Sequence, residues 1–184
     1  MTDTRITRNT LANSFKELMK DNDFSKISVA DICRNCNINR KSFYYHFYDK
    51  YDLVNWIFDR DYSGFVYRNK GDSFFFKELC EYFSENSAYY RKVFMIQGHN
   101  CFLEHLYNHF YRLLIACKKE DSTDFEISFY SDAIVSAIKR WLNVVNLDCE
   151  HFSSELESIL EKAGIYKDFQ LGNNKTTSQE YDYS

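Results

Sequence analysis

Apolar residues recur in this chain every three or four positions over long stretches, the period of helices that bury one face. The first stretch runs from about Thr4 to Lys20, with Ile6, Leu11, Phe15, Leu18 and Met19 as its stripe. The polar link DNDFSK follows, and its Phe24 is expected to plug a small three-helix core. Two short helical segments come next, and then a long fourth helix is predicted from Asp49 through Leu53, Trp56, Ile57 and Phe65 to a break at Gly71-Asp72. Amphipathic, aromatic-rich segments continue at roughly 73–86, 87–96, 99–119, 123–146 and 152–164. Turns are expected at Gly98, Asp121-Ser122 and Asp148-Cys149-Glu150, with Ser153 near the start of the last helix. The closing GNNKTTSQEYDYS is polar and aperiodic, and reads as a disordered tail. With no proline and only five glycines to interrupt these periods, the fold class is all-α.

The segment ISVADICRNCNINRKSFYYHFYDKYDL, from Ile27 to Leu53, is the densest in local signals. Ser28 with Asp31, Asn39 with Ser42, and Asp49 with Asp52 each set a capping side chain three residues ahead of a polar partner. Each cap is flanked by apolar residues at staple spacing: Ile27 and Ile32, Ile38 and Phe43, Tyr48 and Leu53. Two short helices joined by a tight turn, the second basic and aromatic, form the pattern of a helix-turn-helix that reads DNA.

This segment resembles the DNA-binding domain of the TetR family of bacterial transcriptional regulators, at Val29, Ile32, Ile38, Phe43, Tyr44, His46, Phe47, Lys50 and Leu53. The resemblance covers about the first third of the chain. Family members usually carry a small residue at Cys36, glycine at Asn37, and glycine at Lys41 near the start of the recognition helix. Asparagine tolerates the left-handed backbone of a helix C-terminus, so the turn survives its change. The resemblance implies about nine helices: a helix-turn-helix head at 1–48, a connecting helix at 49–70, and a helical regulatory and dimerisation domain at 71–171, ahead of the tail at 172–184. The KRWL element at Lys139–Leu142 is similar to a C-terminal subtype found in regulators from Firmicutes.

Charge divides with this organisation. The chain is acidic overall at −4, but residues 1–60 carry 10 Lys and Arg against 8 Asp and Glu, and residues 61–184 carry 13 against 19. A mildly basic head on an acidic body suits DNA binding by two heads together. The N-terminus MTDTRITRN is too polar for a signal peptide and no apolar run reaches membrane-span length, so a cytoplasmic location is expected. The six cysteines are scattered, which reads as reduced thiols and not a disulfide framework.

Candidate DNA contacts follow from these elements. Arg40, Lys41, Ser42 and Tyr45 fall on the open side of the recognition helix, where cations and donors meet phosphates and base edges. The resemblance implies backbone contacts from Tyr44 and His46 and a phosphate contact from Lys50, and the cap at Ser28 adds free amides that favour a phosphate. In the body, Ser131, Ala133, Ser136 and Ala137 share a helix with Ile134, Val135, Ile138, Trp141 and Leu142. The resemblance makes this helix and the next a four-helix homodimer interface, with Ser136, Ala137, Lys139, Arg140 and Trp141 as its candidates. Aromatic residues Trp56, Phe65, Tyr82, Phe83, Phe102, Tyr107 and Phe110 are candidates to wall an effector cavity, though most also suit a plain core. Cys101, His105 and His109 repeat every four residues and are a weak metal candidate, whereas the CxxC of Cys33 and Cys36 reads as core thiols.

No phosphate loop, nucleophile elbow or metalloprotease helix motif is present, so neither catalysis nor a cofactor is expected. The leading expectation is a dimeric repressor on a pseudo-palindromic double-stranded operator, its binding modulated by an effector held in the C-terminal domain. The alternatives are a related regulator controlled by a protein partner and an architectural DNA-binding protein.

Overall fold

A computed structural model describes residues 4–68, 75–116, 122–143 and 148–163. The expected Gly71-Asp72 break, Asp121, Cys117 and the tail lie outside the described residues. Among these residues there are nine α-helices, one 3₁₀ turn and no strand, so the chain is all-α. The helices are α1 (Thr4–Asp21), α2 (Val29–Asn35), α3 (Arg40–His46), α4 (Lys50–Arg68), α5 (Phe75–Glu85), α6 (Ser87–Val93), α7 (Phe102–Ala116), α8 (Asp124–Asn143) and α9 (Cys149–Lys162), with the 3₁₀ turn at Phe24–Lys26. Two compact units emerge, one of Met1–Tyr67 with Asn86–His105 and one of Arg68–Glu85 with Leu106–Ser184.

In the first unit, α1, α2 and α3 close on Leu11, Phe15, Ile32, Phe43 and Leu53, all without solvent exposure. Phe24 plugs this core as expected, edge-on to Phe15 at 6.1 Å and to Tyr51 at 4.8 Å. Ile6, expected on the buried stripe of α1, is instead 56% exposed, and Thr7 takes its place inside. The polar side of α1 is also engaged: Ser14 donates its hydroxyl to the Ile32 carbonyl at 2.8 Å, and Lys16 pairs with Asp61 of α4 at 3.0 Å.

This unit also takes in Asn86–His105. Specific contacts account for that. The Lys92 ammonium of α6 donates to the Met19 and Lys20 carbonyls at 2.6 and 2.9 Å, satisfying acceptors left open at the end of α1. The ring of Phe58 on α4 lies 5.3 Å from Phe102 and 6.3 Å from Tyr90, and Phe94 meets Phe102 at 5.2 Å. Gly98 forms the expected turn at φ +125°, where a Cβ would also stand 3.1 Å from the Tyr51 hydroxyl oxygen.

The second unit packs α5 against α8 and α9 over Phe76, Leu79, Phe83, Ile134, Ile138, Leu156 and Leu160. Trp141 of α8 stacks flat on Phe152 of α9 at 4.8 Å. The last helix starts earlier than expected, because Asp148 is its N-cap and accepts from the His151 amide at 2.6 Å. Cys149 and Glu150 are therefore helical, and Ser153 is buried inside the helix with its hydroxyl donating to the Glu150 carbonyl.

Candidate nucleic-acid interface

Three caps set the angles of the head. Ser28 and Asp31 form the full capping box, with the Asp31 amide donating to Ser28 Oγ at 3.2 Å and the Ser28 amide donating to Asp31 Oδ2 at 3.0 Å. The Asn39 side chain accepts from the Lys41 amide at 2.8 Å and begins α3. Asp49 accepts from the Tyr51 and Asp52 amides at 2.8 and 2.9 Å, and Asp52 reaches back to the amide of Tyr48.

Between α2 and α3 the chain turns on Asn37, at φ +54°. The Ile38 amide donates to the Cys33 carbonyl at 2.9 Å and the Asn37 amide to that of Arg34 at 3.3 Å, the two bonds of a Schellman ending. This ending closes α2 and leads through Ile38 into the Asn39 cap of α3. Ile27 and Ile32 are both buried, as their staple requires, but Tyr48 is 85% exposed while Leu53 is fully buried. The third expected staple is therefore absent, since the amide of Tyr48 is held by Asp52 and its ring is free to face outward.

The two sides of α3 differ sharply. Phe43 and Phe47 are buried, their rings 5.8 Å apart. Arg40 and Lys41 are exposed, as are Tyr44 at 52% and Tyr45 at 79%. The Arg40 guanidinium lies 6.0 Å from the Tyr44 ring centre, and Tyr45 meets the edge of His46 at 4.9 Å. Ser42 and His46 are half-buried at the flanks. Burial lowers the pKa of His46, and the positive charge of Arg8 adds to the effect. Arg8 is a cation beside the recognition helix that local spacing could not reveal, because it comes from α1.

Two expected phosphate contacts have other partners. Lys50 donates to the carbonyls of Phe24 and Ile27 at 2.8 and 2.7 Å and sits 4.1 Å from the Phe24 ring centre. Its pKa is lowered by burial, with Asp49 opposing. The Ser28 hydroxyl donates to Asp31 at 2.6 Å, which lowers the pKa of that carboxyl and leaves a negative charge at the amide end of α2.

The remaining candidates disperse. Trp56 packs on Phe47 at 5.5 Å and under Arg60 at 4.9 Å, and so supports the head. Phe65 and Phe102 are buried in the first unit. In the second unit, Tyr82 and Phe83 lie side by side, Phe110 stacks with Phe76 at 6.1 Å, and Tyr107 stacks with Tyr111 at 5.8 Å. Cys101 precedes α7, His105 bonds to Asp59 at 2.8 Å, and His109 lies against Phe110. No group of three or more His, Cys, Asp or Glu among the described residues could hold a metal ion, so the four-residue spacing does not make a ligand set. Cys33 is buried, and Cys36 donates its S–H to the Ile32 carbonyl.

On α8, Ser136 and Arg140 are exposed, Ala137 and Lys139 half-buried, and Trp141 is only 6% exposed because it stacks within its own chain. The outward row also contains Phe125 and Phe129, 77% and 57% exposed with their rings stacked at 6.4 Å, which helical spacing alone does not single out. On α9, Ile159 is 56% exposed.

Comparison with known proteins agrees with this geometry. Residues 16–57 match the model of the bacterial regulatory proteins, tetR family, and residues 73–162 match that of a transcriptional regulator C-terminal region. A relative from Lactococcus lactis subsp. lactis (strain IL1403), the HTH-type dhaKLM operon transcriptional activator DhaS, is 30% identical over 166 residues, which span 84% of this chain and 89% of that protein. The solved structure of a dihydroxyacetone kinase operon activator DhaS superposes with a TM-score of 0.56 at 27% identity, covering 87% of this chain and 96% of that one.

Proposed function

Because the chain belongs to the TetR family of bacterial regulatory proteins, we propose that it acts as a homodimer that sets two α3 helices on one pseudo-palindromic operator. It is a DNA-binding transcription regulator and not an enzyme. The observation that carries the reading is the two-sidedness of α3, with Phe43 and Phe47 buried and Arg40, Lys41, Tyr44 and Tyr45 open to a groove. Arg40 and Lys41 supply cations and donors for phosphates and base edges, and the two tyrosines supply flat apolar surface with a hydroxyl at the tip. Arg8 and His46 extend this surface toward the DNA backbone.

The second half of the proposal rests on α8 and α9. Phe125, Phe129, Ala133 and Ser136 line one outward row, and Ile159 is exposed on the next helix. A second copy would cover that apolar surface and allow close helix contact through the small residues. A dimer also compensates for the modest charge of each head, since two weak contacts joined together bind far more tightly than one. No described helix is long and apolar enough to cross a membrane.

The sequence alone suggested a repressor. The names of both relatives, activators of an operon, favour activation as the sign of control. Control by a small effector or by a protein partner remains part of the proposal, because a regulator needs a ligand with different affinities for its DNA-competent and incompetent states. Genome-wide mapping of bound DNA, with transcript levels in a deletion strain, tests the reading. A few sites beside genes whose transcripts fall on deletion support it. Many dispersed sites without transcript change would overturn it in favour of an architectural role.

A further inference from the structure

The most extensively packed helix pair among the described residues, α5 with α9, carries a cysteine on each helix. Cys80 is fully buried on α5, and Cys149 is half-buried as the first residue of α9. Cys149 Sγ lies 3.9 Å from the Lys77 carbonyl oxygen. In a helix, the side chain three residues on lies against that carbonyl, so the Lys77 oxygen marks the turn that holds Cys80. Cys149 therefore lies beside the turn of α5 that carries Cys80, close enough for each thiol to perturb the ionisation of the other.

Their surroundings are unequal. Cys149 stands at a helix N-terminus, where backbone dipoles favour an anion and Lys77 adds positive charge, while partial burial, Glu81 and Asp148 oppose ionisation. Its pKa is lowered, first by the hydrogen bond from Cys80. The Cys80 thiol is pushed far up, first by that same bond and then by burial. The half-exposed Cys149 is therefore the more acidic of the two thiols, and the buried Cys80 the less acidic.

We propose that Cys149 and Cys80 form an oxidation site at which a hydroperoxide converts the dithiol reversibly to a disulfide. The Cys149 thiolate attacks the outer peroxide oxygen, the O–O bond breaks, and the departing alkoxide takes up a proton to leave as alcohol or, from hydrogen peroxide, as water. The Cys80 sulfur then attacks the sulfur of the resulting Cys149 sulfenic acid. The S–S bond forms, the S–O bond breaks, and the hydroxyl leaves as water with the proton of Cys80. Two thiols lose two electrons and two protons, and one peroxide is reduced. Transient disulfides of this kind are the sort that persist only under oxidation in a reducing compartment.

The test treats the full-length protein with hydrogen peroxide and maps non-reduced peptides by mass spectrometry. The expected product is a peptide joining positions 80 and 149, lighter by two hydrogens and restored by dithiothreitol. In Cys149→Ser, which places a good helix-starting residue at α9, oxidation at position 80 should slow about tenfold or more. In Cys80→Ala, dimedone should trap a sulfenic acid at position 149. If Cys80→Ala fails to fold, Cys149→Ser and the wild-type peptide map decide alone. Oxidation of the other cysteines without the 80–149 link, or unchanged oxidation of Cys80 in Cys149→Ser, would overturn the proposal.

Discussion

Replacing Lys50 with methionine removes the ammonium and keeps most of the stem, which makes it the sharpest probe of how the head is held. In the native head, Nζ donates to the Phe24 and Ile27 carbonyls at 2.8 and 2.7 Å and lies 4.1 Å over the Phe24 ring. Hydrogen bonds from a charged donor are worth about 1.5–3 kcal/mol each, and an aromatic face adds roughly 0.5–1 kcal/mol. The cost of partly burying the ammonium, seen in its lowered pKa, offsets a good part of this. A net loss of about 2 kcal/mol is expected, and at about 2–4 °C per kcal/mol for a chain of this size the melting temperature should fall by about 4–8 °C. Thermal unfolding followed by circular dichroism at neutral pH measures it. Lys41→Met, on the exposed side of α3, is the control and should leave stability within about 0.5 kcal/mol while weakening operator binding. An unchanged melting temperature in Lys50→Met, with the salt dependence of DNA binding flattened by about one counterion, would refute the clamp and restore the phosphate role that the family resemblance implied.

Other substitutions test the turn, the charge near α3 and the outward face of α8. Asn37→Ala should cost about 1 kcal/mol, because alanine lacks the local bonding that eases a φ of +54°, while Asn37→Gly should be neutral or stabilising. A urea midpoint for the alanine variant at or above that of the glycine variant would contradict this. Burial and Arg8 hold the pKa of His46 below its ordinary 6.5, so the unfolded chain takes up the proton first as pH falls. Stability should therefore decline as pH drops below 6.5 toward the folded value, with a shallower slope in His46→Gln. An NMR titration should also show the His46 pKa rising in Arg8→Gln. Phe129→Glu should weaken the dimer in sedimentation with little loss of helix, whereas Trp141→Ala should cost about 3–5 kcal/mol of folding stability by removing a buried ring stacked on Phe152. Equal dimer affinity in Phe129→Glu and wild type would rule out the α8 face.

The features legible from the sequence were those written over short distances. The box of Ser28 and Asp31, the caps Asn39 and Asp49 and the left-handed Asn37 all depend on residues within four positions, and all occur where the spacing put them. The helical period, too, was enough to assign the all-α class. Long-range partnerships were not legible. Nothing near Lys50 says that its ammonium turns inward to carbonyls 23 and 26 residues away, and nothing near Lys92 announces the end of α1. Periodicity marks an apolar residue without saying whether its own chain buries it. Ile6 on the expected buried stripe is in fact 56% exposed, and the spacing does not announce the exposed rings of Phe125 and Phe129. Asp148 looks like a turn residue in sequence because its capping bond to His151 crosses a stretch with little apolar signal.

The central claim is that two copies of α3 read one two-fold-related DNA site. Hydroxyl-radical footprinting of the purified protein on its own bound fragment tests this most directly. The account predicts two protected half-sites of inverted sequence, their centres one helical turn or a whole number of turns apart, at about 34–36 Å per turn. Lys41→Ala and Tyr45→Ala should change protection at matching positions in both halves. A single protected half-site, or protection that ignores sequence and persists in both variants, would contradict it.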